Sequence, residues 1–202
     1  MAGQNFPDLT SSNTPGTKKG SLGFFRFSQS CPLMLLLYTG GTILALVLGL
    51  GMYFDVHLVL SGSVPPGLYR PVSRPIAKGE YVVACVPQPF AELGVERGYL
   101  EEGSCPGDSA PVIKHVVAIA GDEVEIWPDG VTVNEAQIPH TQIYELDSHG
   151  RRMPHIHFGT YHVQEDEVWL ISTYHPLSWD SRYWGAVNVR DIQTVAEEVL
   201  TW

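Results

Sequence analysis

Two hydrophobic patterns divide the chain. From Pro32 to Phe54 run 23 residues without a charge (PLMLLLYTGGTILALVLGLGMYF). As a helix rising 1.5 Å per residue, such a run reaches across a hydrocarbon layer about 30 Å thick. From Val56 onward the apolar residues come instead in short, β-branched runs: VHLVL, EYVVACV, APVIKHVVAIA, DEVEIW, GVTVN, GTYHV and DEVWLIS. Turn signals such as PPG, AKG, AGD and PDG separate them, so the pattern predicts a mostly β domain behind one apolar helix. One segment breaks the rhythm: QPFAELGVERGYLEEG, 88–103, predicts a short helix between Cys85 and Cys105. Residues 1–30, rich in Gly, Ser, Thr and Asn without a sustained period, read as a disordered tail. The expected organisation is a tail over 1–30, a transmembrane anchor over 31–54 and a domain over 55–202.

The flanks of the apolar run orient it. Lys18, Lys19 and Arg26 precede it against a single acid, Asp8, and Asp55 follows it directly. Basic residues stay on the cytoplasmic side, so the N-terminus is expected in the cytoplasm and residues 55–202 across the membrane. A cleavable signal peptide competes with this reading, since a basic residue before an apolar stretch describes one too. The run is long for a signal peptide, and no clear small-residue cleavage site follows it. The bilayer is then the partner of the span.

Charge follows the same division. Residues 1–54 are net +2 within a chain of net charge −10, which leaves −12 on the remainder. So acidic a domain makes a poor nucleic-acid binder, because phosphate contacts need clustered Lys and Arg. Peptides are the expected partners. Cys85 and Cys105 fall in the part expected outside the cytoplasm, where disulfides persist, and are expected to pair. The other reading is two separate buried thiols. Cys31, at the cytoplasmic edge of the span, is expected to have no partner.

Only two lysines lie beyond the span. Lys78, in RPIAKGE, has an ordinary turn context and reads as solvated. Lys114 interrupts APVIKHVVAIA, a run that otherwise reads as a strand buried on both faces. A lysine there either snorkels to the surface or is desolvated, and desolvation lowers its pKa. A neutral lysine amine can act as general base toward a serine hydroxyl. Ser63, in SGSVPPGLYR, is the candidate nucleophile, because Pro65 and Pro66 fix φ and stiffen the segment that carries it. Ser61, two residues earlier, can turn its hydroxyl into the same site. Together with the Ser63 backbone N–H it would form an oxyanion hole.

GSVPPGLY resembles the serine box of type I signal peptidases, KHVVAIAGDEV resembles their lysine box with its Gly-Asp turn, and SWDSRYWGAV resembles their late Asp-Ser-Arg box. The three stand in the family's order over about Leu58 to Val187. PPGLY after the serine, ERGYLEEGSCPGDSAPVIK before the lysine, and GTYHVQEDEVWLIS leading into the last box are most similar to the TraF-type conjugative-transfer peptidases. Val64 stands where the wider family usually has methionine. TYHPLSWDSR stands where it often has a Gly-Asp-Asn run.

The resemblance implies a signal-peptidase-like catalytic domain of coiled antiparallel β-sheets on the periplasmic side of a bacterial inner membrane. It implies Ser63 as nucleophile, Lys114 as general base and Ser61 as oxyanion donor. Asp180 and Arg182 would form a supporting ion pair, and Ser178 would orient the lysine amine. Read without the resemblance, WDSRYW is a polar loop with an exposed pair worth under about 1 kcal/mol. The implied substrate is an exported, pilin-like precursor with small side chains before the cut, and the conjugative transfer machinery is a further implied partner. Neither cofactor nor metal is expected. His149, His155, His157 and His162 lie close in sequence, but no HExxH or CxxC motif accompanies them and they read as surface strand histidines. A LexA-like self-cleaving protein would share the Ser/Lys chemistry but needs a DNA-binding half where this chain has a span. A non-catalytic pilus-assembly scaffold that retains the boxes is the other alternative.

Overall fold

The computed structural model describes residues 32–202. The expected tail, the basic residues ahead of the span and Cys31 lie outside the described residues. The described residues divide into two units, 32–44 and 45–202. The apolar run forms one helix, α1 (Pro32–Tyr53), long and apolar enough to cross a membrane, with none of its residues buried.

The remainder is mostly β. In chain order come β1 (His57–Val59), β2 (Gly67–Val72), β3 (Tyr81–Ala84), helix α2 (Gln88–Glu96), β4 (Glu102–Cys105) and β5 (Val112–Ile119). Then follow β6 (Glu123–Trp127), β7 (Gly130–Val133), β8 (Ala136–Ile138), β9 (Gly159–His162) and β10 (Glu167–Ile171). The short helix α3 (Ser181–Trp184), β11 (Val187–Asn188) and β12 (Ile192–Thr201) complete the chain. Each of the seven strand-like runs in the sequence forms a strand. The segment 88–103 holds the expected short helix, which stops at Glu96 because Gly98 turns the chain at φ +72° and Glu102–Cys105 is extended.

Seven strands form a curled antiparallel sheet in the order β1-β2-β12-β3-β5-β10-β11, and four form a second sheet in the order β8-β7-β6-β9. Val82, Val116, Ala118, Val124, Ile126 and Trp169 are among the residues of the main core, all at most 1% exposed. A smaller cluster of Val64, Tyr69 and Ala196 lies behind the Pro-Pro turn. Val64 is wholly buried, and burying a valine stabilises by roughly 1.5–3 kcal/mol, which ties the serine segment to the sheet. Gly67 is required where β2 meets β12: a Cβ there would sit 2.3 Å from the Leu200 carbonyl oxygen.

Register sets the stage for the site. β5 lies between β3 and β10, with Val82 opposite Lys114 and Ile171 opposite His115. The chain therefore leaves β10 beside Lys114. The serine segment arrives from farther away, since β2 and β5 are three strand spacings apart, roughly 14 Å in a flat sheet. Sheet curl and the reach of residues 63–66 close that gap.

Candidate active site

Lys114 is 2% exposed, its side chain enclosed on the β5 face, so the snorkelling alternative does not apply. Its Nζ lies 2.5 Å from Ser63 Oγ and 2.7 Å from Ser178 Oγ, and those two hydroxyls are 3.3 Å apart. Burial pushes the lysine pKa down to about 8; Asp180 pulls it back up and Arg182 adds to the depression. The three side chains come from three places: the turn before β2, the middle of β5, and the loop between β10 and α3.

That loop is shaped by a buried ion pair. Asp180 and Arg182 are both fully buried, with Arg182 Nε donating to Asp180 Oδ1 at 2.8 Å and Nη2 to Oδ2 at 2.9 Å. The guanidinium also donates to the backbone oxygens of Gln142 (3.1 Å), Pro176 (2.8 Å) and Ser178 (3.1 Å). All five of its N–H groups are thereby used. The reading of WDSRYW as an exposed pair is overturned: the pair sits in the interior and fixes the backbone that presents the Ser178 hydroxyl.

Ser172 belongs to the same surroundings although nothing in the sequence singled it out. It follows β10, is wholly buried, and donates its hydroxyl to the Ser63 carbonyl oxygen at 2.6 Å. The visible signal was a serine ending the apolar run DEVWLIS, which alone reads as a strand end. Tyr69 is a second such residue: its hydroxyl donates to the Pro65 carbonyl at 2.8 Å, and burial raises its pKa.

Ser61, Ser63, Lys114 and Ser178 all line a cleft of about 1020 Å³. Ser61 is exposed on its wall. Leu58 to Leu60, Ala110 to Ile113 and Tyr99 to Glu101 also line it. Tyr99 to Glu101 belong to the segment between Cys85 and Cys105, which are disulfide-bonded with Cα atoms 5.5 Å apart. Trp179, next to Ser178, packs on that segment: its Nε1 donates to the Phe90 carbonyl at 3.3 Å and its ring lies 5.3 Å from that of Tyr99.

The other sequence candidates lie elsewhere. Lys78 pairs with Asp122 at 2.8 Å on the surface, at the turn after β5. His149, His155 and His157 are not on strands, contrary to expectation; His155 stacks on Phe158, and only His162 ends a strand, β9. None of the four lines the cleft.

The family model described as signal peptidase, peptidase S26, matches residues 35–202. A plasmid transfer protein TraF of Escherichia coli is 39% identical over 168 residues, covering 81% of this chain and 93% of its own length. A probable conjugal transfer protein TraF of Sinorhizobium fredii is 36% identical over 176 residues, covering 85% and 90%. A crystal structure of a signal peptidase I from Enterococcus faecalis aligns with a TM-score of 0.35 at 17% identity, over 60% of this chain and 97% of that one. With a family model matching nearly all of the described residues and TraF relatives aligned over most of both lengths, the chain belongs to the S26 signal peptidase family.

Proposed function

We propose that the protein is a membrane-anchored serine endopeptidase with a Ser/Lys dyad. It cuts a signal or leader segment from an exported precursor, a conjugative pilin being the substrate that the TraF relatives suggest. The observation that carries this reading is a buried lysine amine 2.5 Å from the hydroxyl of a serine that lines a large cleft. Among the described residues Lys114 has no carboxylate as a hydrogen-bond partner; both partners are hydroxyls. A neutral amine in that position donates to Ser178 and takes the Ser63 proton as Ser63 Oγ attacks the scissile carbonyl. Ser61 Oγ and the Ser63 N–H face the oxyanion, and water then releases the acyl group unless a substrate amine takes it. The Asp180–Arg182 pair supports the loop that orients Ser178.

The precursor lies extended in the cleft, adding a strand beside the site, with alternate side chains in pockets. Small side chains before the cut are the preference that the family resemblance suggests. Residues 55–202 work on the outer face of the cytoplasmic membrane, with α1 as the anchor. The test is cleavage of a pilin-like precursor by the full-length protein in detergent, read by mass spectrometry. New termini should appear after a small-x-small sequence with wild type and not with Ser63→Ala. Intact precursor under wild type points to a non-catalytic assembly role and sinks the proposal.

A further inference from the structure

The Ser172 hydroxyl has one hydrogen and two lone pairs, and all three are committed. The hydrogen goes to the Ser63 carbonyl at 2.6 Å; the lone pairs accept from the backbone N–H groups of Tyr174 at 3.2 Å and His175 at 3.1 Å. Its own N–H donates to Asp180 Oδ2 at 3.0 Å. The buried ion pair thus reaches Ser63 by two routes. Through Arg182 it fixes the Ser178 backbone, whose side chain meets Lys114 and the Ser63 hydroxyl. Through the Ser172 N–H it fixes the group that grips the Ser63 carbonyl.

We propose that Ser172 is a positioning residue for the nucleophile, holding the Ser63 carbonyl and, through it, the Cα that carries both the Oγ and the N–H. This rests on the Ser/Lys peptidase reading above. The gripped carbonyl is bonded to the Ser63 Cα, which carries both the Oγ-bearing side chain and the N–H, so a shift of that carbonyl displaces the Cα and disturbs attack and oxyanion binding together. Pro65 and Pro66 stiffen the following segment and Val64 anchors it in the core, but neither sets the angle of the Ser63 carbonyl. The Ser172 hydroxyl does. A displacement of about 1 Å at a reacting atom can lower a rate on the order of 100-fold. Ser172 is not a hydrogen-bond partner of Lys114, whose partners among the described residues are the Ser63 and Ser178 hydroxyls, so removing the Ser172 hydroxyl takes no bond from the amine.

The experiment compares full-length wild type, Ser172→Ala and Ser172→Thr in detergent, with kcat, KM and pH–rate profiles normalised to the folded fraction from tryptophan fluorescence. Ser172→Ala should lower kcat by about 10- to 100-fold with KM within about twofold and the alkaline inflection unmoved. Ser172→Thr keeps the hydroxyl and should recover most of kcat. If Ser172→Ala does not fold, Ser172→Cys, with only a weak S–H donor, carries the same expectation. A folded variant without the hydroxyl that keeps kcat within about threefold of wild type overturns the proposal. So does a loss confined to KM, a shifted inflection, or a Ser172→Thr protein as slow as Ser172→Ala. An active wild type beside an unimpaired variant removes only this role, whereas an inert wild type removes the peptidase reading with it.

Discussion

Lys114 makes the stability of the protein depend on pH in a direction set by burial. Its pKa is about 8 in the folded chain and 10.5 in the free side chain. Below about pH 8 both folded and unfolded chains carry the ammonium, and the folded one bears the whole cost of desolvating it, about 3 kcal/mol at 1.36 kcal/mol per pKa unit. Between the two values the unfolded chain holds the extra proton, so stability rises with pH. From pH 7 to about 9.5 this group alone should add roughly 2 kcal/mol. His115, lowered by burial, contributes its change below its ordinary value of 6.5, and Tyr69, Tyr81 and Tyr183, raised by desolvation, withdraw stability only above their ordinary value of 10.0. Among the described residues with a shifted pKa, only Lys114 acts in the window between.

Lys114→Met isolates the effect. Methionine fills similar space without a charge, and the two hydroxyls it strands are 3.3 Å apart and can pair with each other. Urea unfolding of the full-length protein in detergent, followed through the buried Trp169, Trp179 and Trp184, gives the stabilities. Wild type should gain roughly 2 kcal/mol on Lys114→Met between pH 7 and about 9.5, whatever the offset at either end. The cleavage rate should climb through the same inflection, since about one tenth of the amine is neutral at pH 7 when its pKa is about 8. Parallel pH–stability curves for the two proteins, or a rate that climbs only near pH 10, would refute a desolvated lysine.

Further outcomes follow from the same geometry. Lys114→Arg should be inactive at every workable pH, because a guanidinium cannot lose its proton there; near-normal cleavage by that variant would remove Lys114 as base. Ser61→Ala should slow turnover roughly 100- to 1000-fold with unchanged unfolding, while Ser63→Ala abolishes cleavage; an active Ser63→Ala protein means another nucleophile. Asp180→Ala should destabilise by about 3–5 kcal/mol, because it leaves the Arg182 charge buried and unpaired, and a loss under about 1 kcal/mol would contradict the burial. Removing the Cys85–Cys105 crosslink frees a loop of 20 residues and should cost about 3 kcal/mol, read as a lower unfolding midpoint for the double serine variant.

Local chemistry made much of this protein legible in one dimension. The uncharged run from Pro32 could hardly avoid being a helix, and seven β-branched runs became strands because alternating burial suits a pleated sheet. The Pro-Pro after Ser63 announced a stiff turn, and the lysine inside APVIKHVVAIA was an anomaly before any fold was known. What the sequence left open were the choices that depend on long-range packing. β2 and β12 were not apparent: GLYRPV carries a proline, IQTVAEEVLT carries two charges, and their strand state comes from pairing, β2 with β1 and β12, and β12 with β2 and β3. Whether Lys114 snorkels or is enclosed depends on the chain leaving β10 beside it. Whether Asp180 and Arg182 are a surface pair or a buried one depends on how the loop before α3 is covered. Ser172 shows the limit most plainly, for a serine at a strand end carries no mark of its partner. Only the curl of the sheet, which brings residues 109 positions apart to within 2.6 Å, decided that its hydroxyl would meet the carbonyl of Ser63.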